Sequence, residues 1–99
     1  MRSSAAGKSM ASTTLTIHHD AGLHARPAAK FVKLAASFPC AITLRNLAKP
    51  AAVAVNAKSM VSVLTQGVNK GTQIEIVATG ERADEAVAAL THLIEGNFE

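Results

Sequence analysis

The stretch TTLTIHHDAGLHARPAAKFVKLAASF, residues 13–38, changes its hydrophobic period halfway along. Leu15 and Ile17 alternate with polar neighbours, which is typical of a strand with one buried face. After a loop that contains Gly22, apolar residues recur at the three-to-four-residue spacing of a helix. They are Ala28, Phe31, Val32, Ala35 and Phe38. The stretch therefore predicts a first strand that ends near His18, a short loop and a first helix.

Further segments with a regular period follow toward the C-terminus. Alternating residues around Ile42 and Val55 predict two strands that form a hairpin, and a third alternating run through Ile76 predicts the last strand. Between them, Ser59 is a suitable N-cap for a short helix, and residues 83–94 have the period of a second long helix. The order βαββαβα predicts an α+β open-faced sandwich, in which three helices cover one face of a four-stranded antiparallel sheet.

The first twelve residues do not share these patterns. They are rich in Ser and Ala and contain no periodic apolar face. Such a composition is typical of a segment that buries too little apolar surface to fold. We therefore expect residues 1–12 to be a disordered N-terminal extension and residues 13–99 to form the folded domain.

Composition narrows the classes of function. The 99 residues carry ten Lys and Arg against seven Asp and Glu, a net charge of +3, and their only aromatic residues are three Phe. Nucleic-acid interfaces usually combine a clustered basic face with stacking aromatics, so nucleic-acid binding is not expected. Cys40 is the only cysteine, which favours a reducing compartment. The apolar runs are short and no secretory signal is recognisable, so we expect a cytoplasmic protein without membrane insertion.

The segment GLHARPA, residues 22–28, places reactive groups at the start of the first helix. His24 falls at or beside the N-cap, where the first backbone N–H groups have no intrahelical partner and the helix dipole is positive. We expect the N–H groups of Ala25 and Arg26 to bind a dianion attached to His24, whose neutral imidazole can attack phosphorus. The guanidinium of Arg26 adds a permanent cation. From spacing alone, His24 as a simple helix cap and Arg26 as an exposed charge are equally good interpretations.

This segment resembles the active-site motif of the histidine-containing phosphocarrier (HPr) family of the bacterial phosphotransferase system. The resemblance continues through residues 38–40, 55–60 and 71–72 to the last helix, and so covers essentially residues 13–99. It implies the same βαββαβα sandwich, a phosphoryl group on Nδ1 of His24 and phosphate stabilisation by Arg26. Family members often carry Asn where this chain has Ala21, a departure that removes one side-chain contact and leaves the main transfer apparatus intact.

The same resemblance implies a carrier rather than an enzyme. The protein would accept a phosphoryl group from Enzyme I and pass it to the A domains of Enzyme II for sugar uptake, without a cofactor of its own. A nitrogen-branch (NPr-type) carrier is the alternative within the family, and a non-catalytic interaction module is the alternative from another class. A carrier that meets two partners through one face would work most simply as a monomer.

The segment NAKSM, residues 56–60, gives a second candidate site. Ser59 is most simply an N-cap, but the resemblance implies that HPr kinase/phosphorylase phosphorylates the matching serine in many members, which would repel an acidic partner. Met60, Val61 and Leu64 lie on a helix too short to bury all of them. We therefore expect some of these three side chains to remain exposed as a partner-docking patch.

The remaining histidines predict no metal or nucleotide site. His18 and His19 are adjacent at a strand end and His92 lies late in the last helix, which is not a recognisable metal-ligand spacing. The chain also lacks a glycine-rich nucleotide-binding loop. We therefore expect no bound metal and no bound ATP, so the phosphoryl group must come from another protein.

Overall fold

The computed structural model describes residues 9–49, 51 and 53–99. Its four strands are β1 (Met10–Thr16), β2 (Ala41–Asn46), β3 (Val55–Asn56) and β4 (Gln73–Thr79). Its three helices are α1 (Ala25–Ala36), α2 (Met60–Thr65) and α3 (Ala83–Glu95). The predicted order βαββαβα is confirmed.

The strands form one antiparallel sheet in the order β1-β4-β2-β3. β4 pairs with β1 on one side and with β2 on the other, so the last strand in the chain lies inside the sheet. β3 is short and pairs with β2 only through Thr43 opposite Asn56 and Leu44 opposite Val55. The hairpin predicted around Ile42 and Val55 is therefore present, although Val53 lies outside the paired segment.

One face of the sheet carries the core. Ile74 and Ile76 of β4 are fully buried, and the residues between and beside them are more exposed, as the alternation predicted. Phe31 of α1, Val63 of α2 and Leu90 of α3 belong to the same buried cluster. Burying a side chain of this size stabilises the fold by about 1.5–3 kcal/mol, so each helix is held to the sheet through its apolar side. The predicted open-faced sandwich is confirmed.

The helices begin and end near the residues that the sequence indicated. Ser59 is the N-cap of α2, and its hydroxyl accepts a hydrogen bond from the N–H of Ser62 at 3.3 Å. α1 ends at Ala36, and Phe38 packs into the core from beyond the helix end. α3 ends at Glu95 and Gly96 is its C-cap, close to the end of the predicted helical period at residue 94. No helix in the described part of the chain is long and apolar enough to cross a membrane.

The predicted boundary between a disordered extension and the folded domain is wrong for the residues just before position 13. β1 already begins at Met10. The carbonyl of Ser9 accepts the N–H of Gly80 at 2.8 Å, and its hydroxyl donates to the carbonyl of Gly80 at 2.8 Å. Backbone pairing with β4 holds this end of β1, and among residues 10–12 only Ala11 packs against the core, so the hydrophobic pattern did not show it. The rest of that prediction, residues 1–8, lies outside the described residues.

Candidate functional site

His24 occupies the N-cap position of α1, as the sequence predicted. Its backbone is extended, with φ −131° and ψ 161°, and its side chain makes no capping hydrogen bond. The imidazole therefore leaves the N–H groups of the first helical turn available to another acceptor. His24 is therefore the N-cap residue by position, but its side chain does not cap the helix.

The imidazole of His24 instead contacts Asn69, a residue that no sequence motif indicated. Nε2 of His24 lies 3.1 Å from Oδ1 of Asn69. An amide oxygen can only accept a hydrogen bond, so with the Asn69 amide in this orientation the ring nitrogen that faces it carries the proton. In the neutral ring, the lone pair is then on Nδ1. The two residues are 45 positions apart, so no local sequence pattern could have shown the contact.

The loop before His24 is fixed to the segment before Asn69. The N–H of Leu23 donates to the carbonyl of Val68 at 3.0 Å, and both side chains are fully buried. Gly22 has φ +66°, and a Cβ at this position would lie 2.5 Å from the carbonyl oxygen of Val68. Glycine alone permits both this backbone conformation and this close approach. Gly22 therefore sets the spacing at which the His24 ring meets Asn69.

The backbone is strained on the other side of His24. Ala25, the first residue of α1, has φ +51°, in the left-handed region. That conformation costs a residue with a side chain about 1–2 kcal/mol and persists only where the surrounding structure holds it. The buried residues Leu23 and Pro27 flank this point and fix the chain. The strain lies where the predicted phosphate-binding backbone of Ala25 and Arg26 begins.

A cleft of about 280 Å³ opens beside the first turn of α1. Its lining residues are His19, Ala21, Ala25, Arg26, Pro27, Lys30 and Phe98. Arg26 is exposed, and within the described ranges its guanidinium has no salt-bridge partner. The guanidinium is therefore available to bind an anion, and its role in stabilising a phosphoryl group on His24 stays a prediction.

Phe98, from the C-terminal end of the chain, joins residues near His24 in lining the cleft. The N–H of Ala21 donates to Nδ1 of His19 at 3.0 Å, and the His19 ring meets the ring of Phe98 edge-on, with centroids 5.8 Å apart. The ammonium of Lys30 donates to the carbonyl of Phe98 at 2.7 Å. Ala21 thus contributes a backbone N–H that orders a second histidine. His19 was not predicted to belong to the site.

The predicted docking residues differ in exposure. Val61 and Leu64 are 74% and 40% exposed, whereas Met60 is half-buried and packs against the core. The one buried residue of α2 is Val63, which the spacing argument did not name. Val61 and Leu64 are three residues apart and therefore neighbours on the helix surface. We call these two side chains the α2 patch; exposed apolar side chains of this kind are typical of interaction surfaces.

Neither the cysteine nor the acidic residues form a further centre in the described part of the chain. Cys40 is buried and free. Among residues 9–49, 51 and 53–99, no group of three or more His, Cys, Asp and Glu side chains is arranged to hold a metal ion. The candidate site therefore consists of His24 and Asn69 together with the cleft beside them.

Known proteins share both the sequence and the fold. The family model described as "PTS HPr component phosphorylation site" matches residues 11–96. Phosphocarrier protein HPr of Pseudomonas aeruginosa is 37% identical over 90 residues, which cover 91% of this chain and 97% of that protein. Phosphocarrier protein NPr of Escherichia coli K12 is 36% identical over 86 residues, 87% of this chain and 92% of that protein. The crystal structure of HPr-C-His from Thermoanaerobacter tengcongensis matches with a TM-score of 0.82 at 39% identity, covering 89% and 94% of the two chains.

These matches confirm the family resemblance and the fold that the sequence predicted. HPr and NPr relatives match at nearly equal identity, so identity does not favour either branch. Proteins of this family carry a phosphoryl group within the phosphotransferase system and are not catalysts in the usual sense. The chain belongs to the HPr family of phosphocarrier proteins.

Proposed function

We propose that the protein accepts a phosphoryl group from Enzyme I on Nδ1 of His24 and passes it to an acceptor protein. The observation that carries this proposal is the contact of Nε2 with Asn69, which leaves the lone pair on Nδ1. When Nδ1 attacks, a bond to phosphorus forms, the bond from phosphorus to the donor atom breaks, and that atom keeps the electron pair. The proton on Nε2 stays in place, so the reaction needs no general base.

The start of α1 supplies the groups that stabilise the transferred phosphoryl group. Phosphoryl transfer depends mainly on positioning and on neutralising charge. The His24 side chain makes no capping bond, so the N–H groups of Ala25 and Arg26 can donate to phosphoryl oxygens. The exposed guanidinium of Arg26 adds a charge-assisted bond. Arg26 thus binds the group that His24 carries.

Both partners would dock on the surface formed by the start of α1 and the α2 patch. α2 packs against α1 and ends at Thr65, four residues before Asn69, which contacts the His24 ring. Leu64 is at that end and exposed. The donor is Enzyme I and the acceptors are Enzyme II A domains or their nitrogen-branch counterparts. One shared surface suits a monomer that shuttles between cytoplasmic partners.

Ser59 gives this surface a point of regulation. Its hydroxyl caps α2 two residues before Val61. Phosphorylation there by HPr kinase/phosphorylase would add a charge of about −1.5 to −2 beside the α2 patch. The added charge would weaken docking of an acidic partner without touching His24.

The test is phosphorylation by Enzyme I, magnesium and phosphoenolpyruvate, followed as an acid-labile mass increase. We expect labelling of the wild type and of His92→Ala, which removes an exposed histidine on α3, and none of His24→Ala. Sugar-type and nitrogen-type Enzyme I are compared in parallel, and the faster donor identifies the branch. A wild type that neither donor labels would contradict the proposal and favour a non-catalytic interaction module.

A further inference from the structure

We propose that Asn69 is a positioning residue for phosphoryl transfer: its Oδ1 selects the reactive tautomer of His24 and stabilises the ring once the phosphoryl group is attached. This inference rests on the proposed function of His24. It is carried by the 3.1 Å contact between Oδ1 of Asn69 and Nε2 of His24. The opposite amide orientation would present N–H donors to Nε2, place the proton on Nδ1 and leave that nitrogen unable to attack.

The backbone around Asn69 is held in a tight turn. Its N–H donates to the hydroxyl oxygen of Thr72 at 3.2 Å, and its carbonyl accepts the N–H of Thr72 at 3.0 Å. The turn is also bonded to Ile17, the residue after β1. The N–H of Ile17 donates to the carbonyl of Thr72 at 2.9 Å, and the N–H of Gly71 donates to the carbonyl of Ile17 at 2.7 Å. An acceptor on such a turn loses little further backbone freedom when it orders a ring.

The same two segments are joined directly beside the His24–Asn69 contact. Leu23 immediately precedes His24, Val68 immediately precedes Asn69, and these two neighbours share a backbone hydrogen bond of 3.0 Å. Both are fully buried, so this connection belongs to the core. The ring and the amide therefore meet because the backbone brings them together. A contact between two free surface side chains would lack this support.

The hydrogen bond between His24 and Asn69 is stronger after phosphoryl transfer than before it. In the free carrier, a neutral Nε2–H donates to Oδ1 of Asn69. After Nδ1 bonds to phosphorus and the donor atom leaves with its electron pair, the ring keeps the Nε2 proton and becomes positively charged. Hydrogen bonds from charged donors are roughly twice as strong as neutral ones. Asn69 therefore favours the phosphorylated carrier as well as the reactive tautomer.

The first test measures the tautomer of His24 without any phosphorylation. The full chain is labelled with ¹⁵N-histidine, and the ring nitrogens are observed by NMR at alkaline pH, where the imidazole is neutral. Asn69→Leu removes the acceptor at similar volume, and Asn69→Asp keeps an acceptor oxygen at the same reach. Gln73→Leu is the matched control, since it also replaces an exposed amide by leucine but lies on β4, outside the turn that holds Asn69. We expect the Nε2–H form in the wild type, Asn69→Asp and Gln73→Leu, and a shift toward Nδ1–H in Asn69→Leu.

The second test measures the rate at which Enzyme I phosphorylates each variant. Loss of one hydrogen bond predicts a rate about fivefold lower for Asn69→Leu, with Gln73→Leu close to the wild type. Asn69 is exposed, so Asn69→Leu should fold, and circular dichroism checks this. A folded Asn69→Leu with wild-type ring shifts and rate would overturn the inference, as would an Nδ1–H ring in the wild type. Failure of Enzyme I to label the wild type would instead count against the proposed function, because the ring shifts report on Asn69 independently.

Discussion

The turn formed by residues 68–72, which contacts His24 through Asn69, and the helix α2 are neighbours in the chain but are fixed in different ways. Residues 68–72 form backbone hydrogen bonds with residues 17–23, whereas Val61 and Leu64 of α2 face outward. Transfer of a phosphoryl group needs atoms placed within a fraction of an ångström, while docking needs exposed apolar area. Substitutions in the turn should therefore change stability and chemistry together. Substitutions on the α2 patch should change partner affinity alone.

The largest effect on stability is expected for Gly22→Ala. We expect the free energy of unfolding to fall by about 2–4 kcal/mol, because the new Cβ meets the carbonyl of Val68 at 2.5 Å and the backbone has φ +66°. Gly71→Ala is the matched control, since its φ of +89° is also left-handed but nothing lies within 4 Å of its Cβ. Backbone strain alone should cost this control about 1–2 kcal/mol in urea unfolding. Equal losses in both variants would show that the contact with Val68 is not tight.

A charge on the α2 patch should give the next largest effect. Leu64→Asp is expected to raise the KM of Enzyme I for the carrier about tenfold, because a charge would be desolvated at the interface. The free energy of unfolding should stay within about 0.5 kcal/mol, since Leu64 is exposed. Val53→Asp is the control, because Val53 is 75% exposed but lies before β3 rather than on α2. A similar KM for Leu64→Asp and the wild type would show that α2 is not part of the docking surface.

Substitutions at Ser59 distinguish its contribution as the N-cap of α2 from its effect on partner docking. Ser59→Ala should lower the free energy of unfolding by about 1 kcal/mol through loss of the bond from the Ser62 N–H. Ser59→Asp should retain stability, because Asp also caps helices, but should weaken docking through its charge. Chemical denaturation and the KM for Enzyme I measure the two effects separately. Equal stability of all three proteins would mean that the 3.3 Å bond contributes nothing as a cap.

The smallest effect on stability is expected from the ion pair between Asp20 and Lys70, which joins the loop before His24 to the turn of residues 68–72 on the surface. The hydrogen bond and the charge of the Lys70 ammonium, 2.9 Å from Asp20, hold the pKa of that carboxyl below its ordinary value of 3.8. The pair therefore stabilises the folded state above pH 3.8, and this contribution disappears as the pH falls through the lowered pKa. It is small, because both side chains are exposed and salt screens them. NMR titration of Lys70→Met should show the pKa of Asp20 rising toward 3.8; an unchanged pKa would exclude the pair in solution.

The elements with a clear period were predictable, and the contacts between distant segments were not. Alternation of apolar and polar residues predicted β4, and helical spacing of apolar residues predicted α3. The GLHARPA motif predicted His24 at the start of α1. The beginning of β1 was missed because backbone pairing, and not apolar periodicity, holds it. Asn69 and His19 were missed because their positions depend on turns that meet only in the folded chain. In this protein, periodicity predicts the scaffold, whereas long-range hydrogen bonds complete the site.

The most direct test is to identify the ring nitrogen of His24 that carries the phosphoryl group. The wild type, labelled with ¹⁵N-histidine and phosphorylated by Enzyme I, would be examined by NMR for coupling between phosphorus and the ring nitrogens of His24. Because Nε2 faces Oδ1 of Asn69, we predict phosphorus on Nδ1 and a proton on Nε2. Phosphorus on Nε2, or on any residue other than His24, would contradict the account.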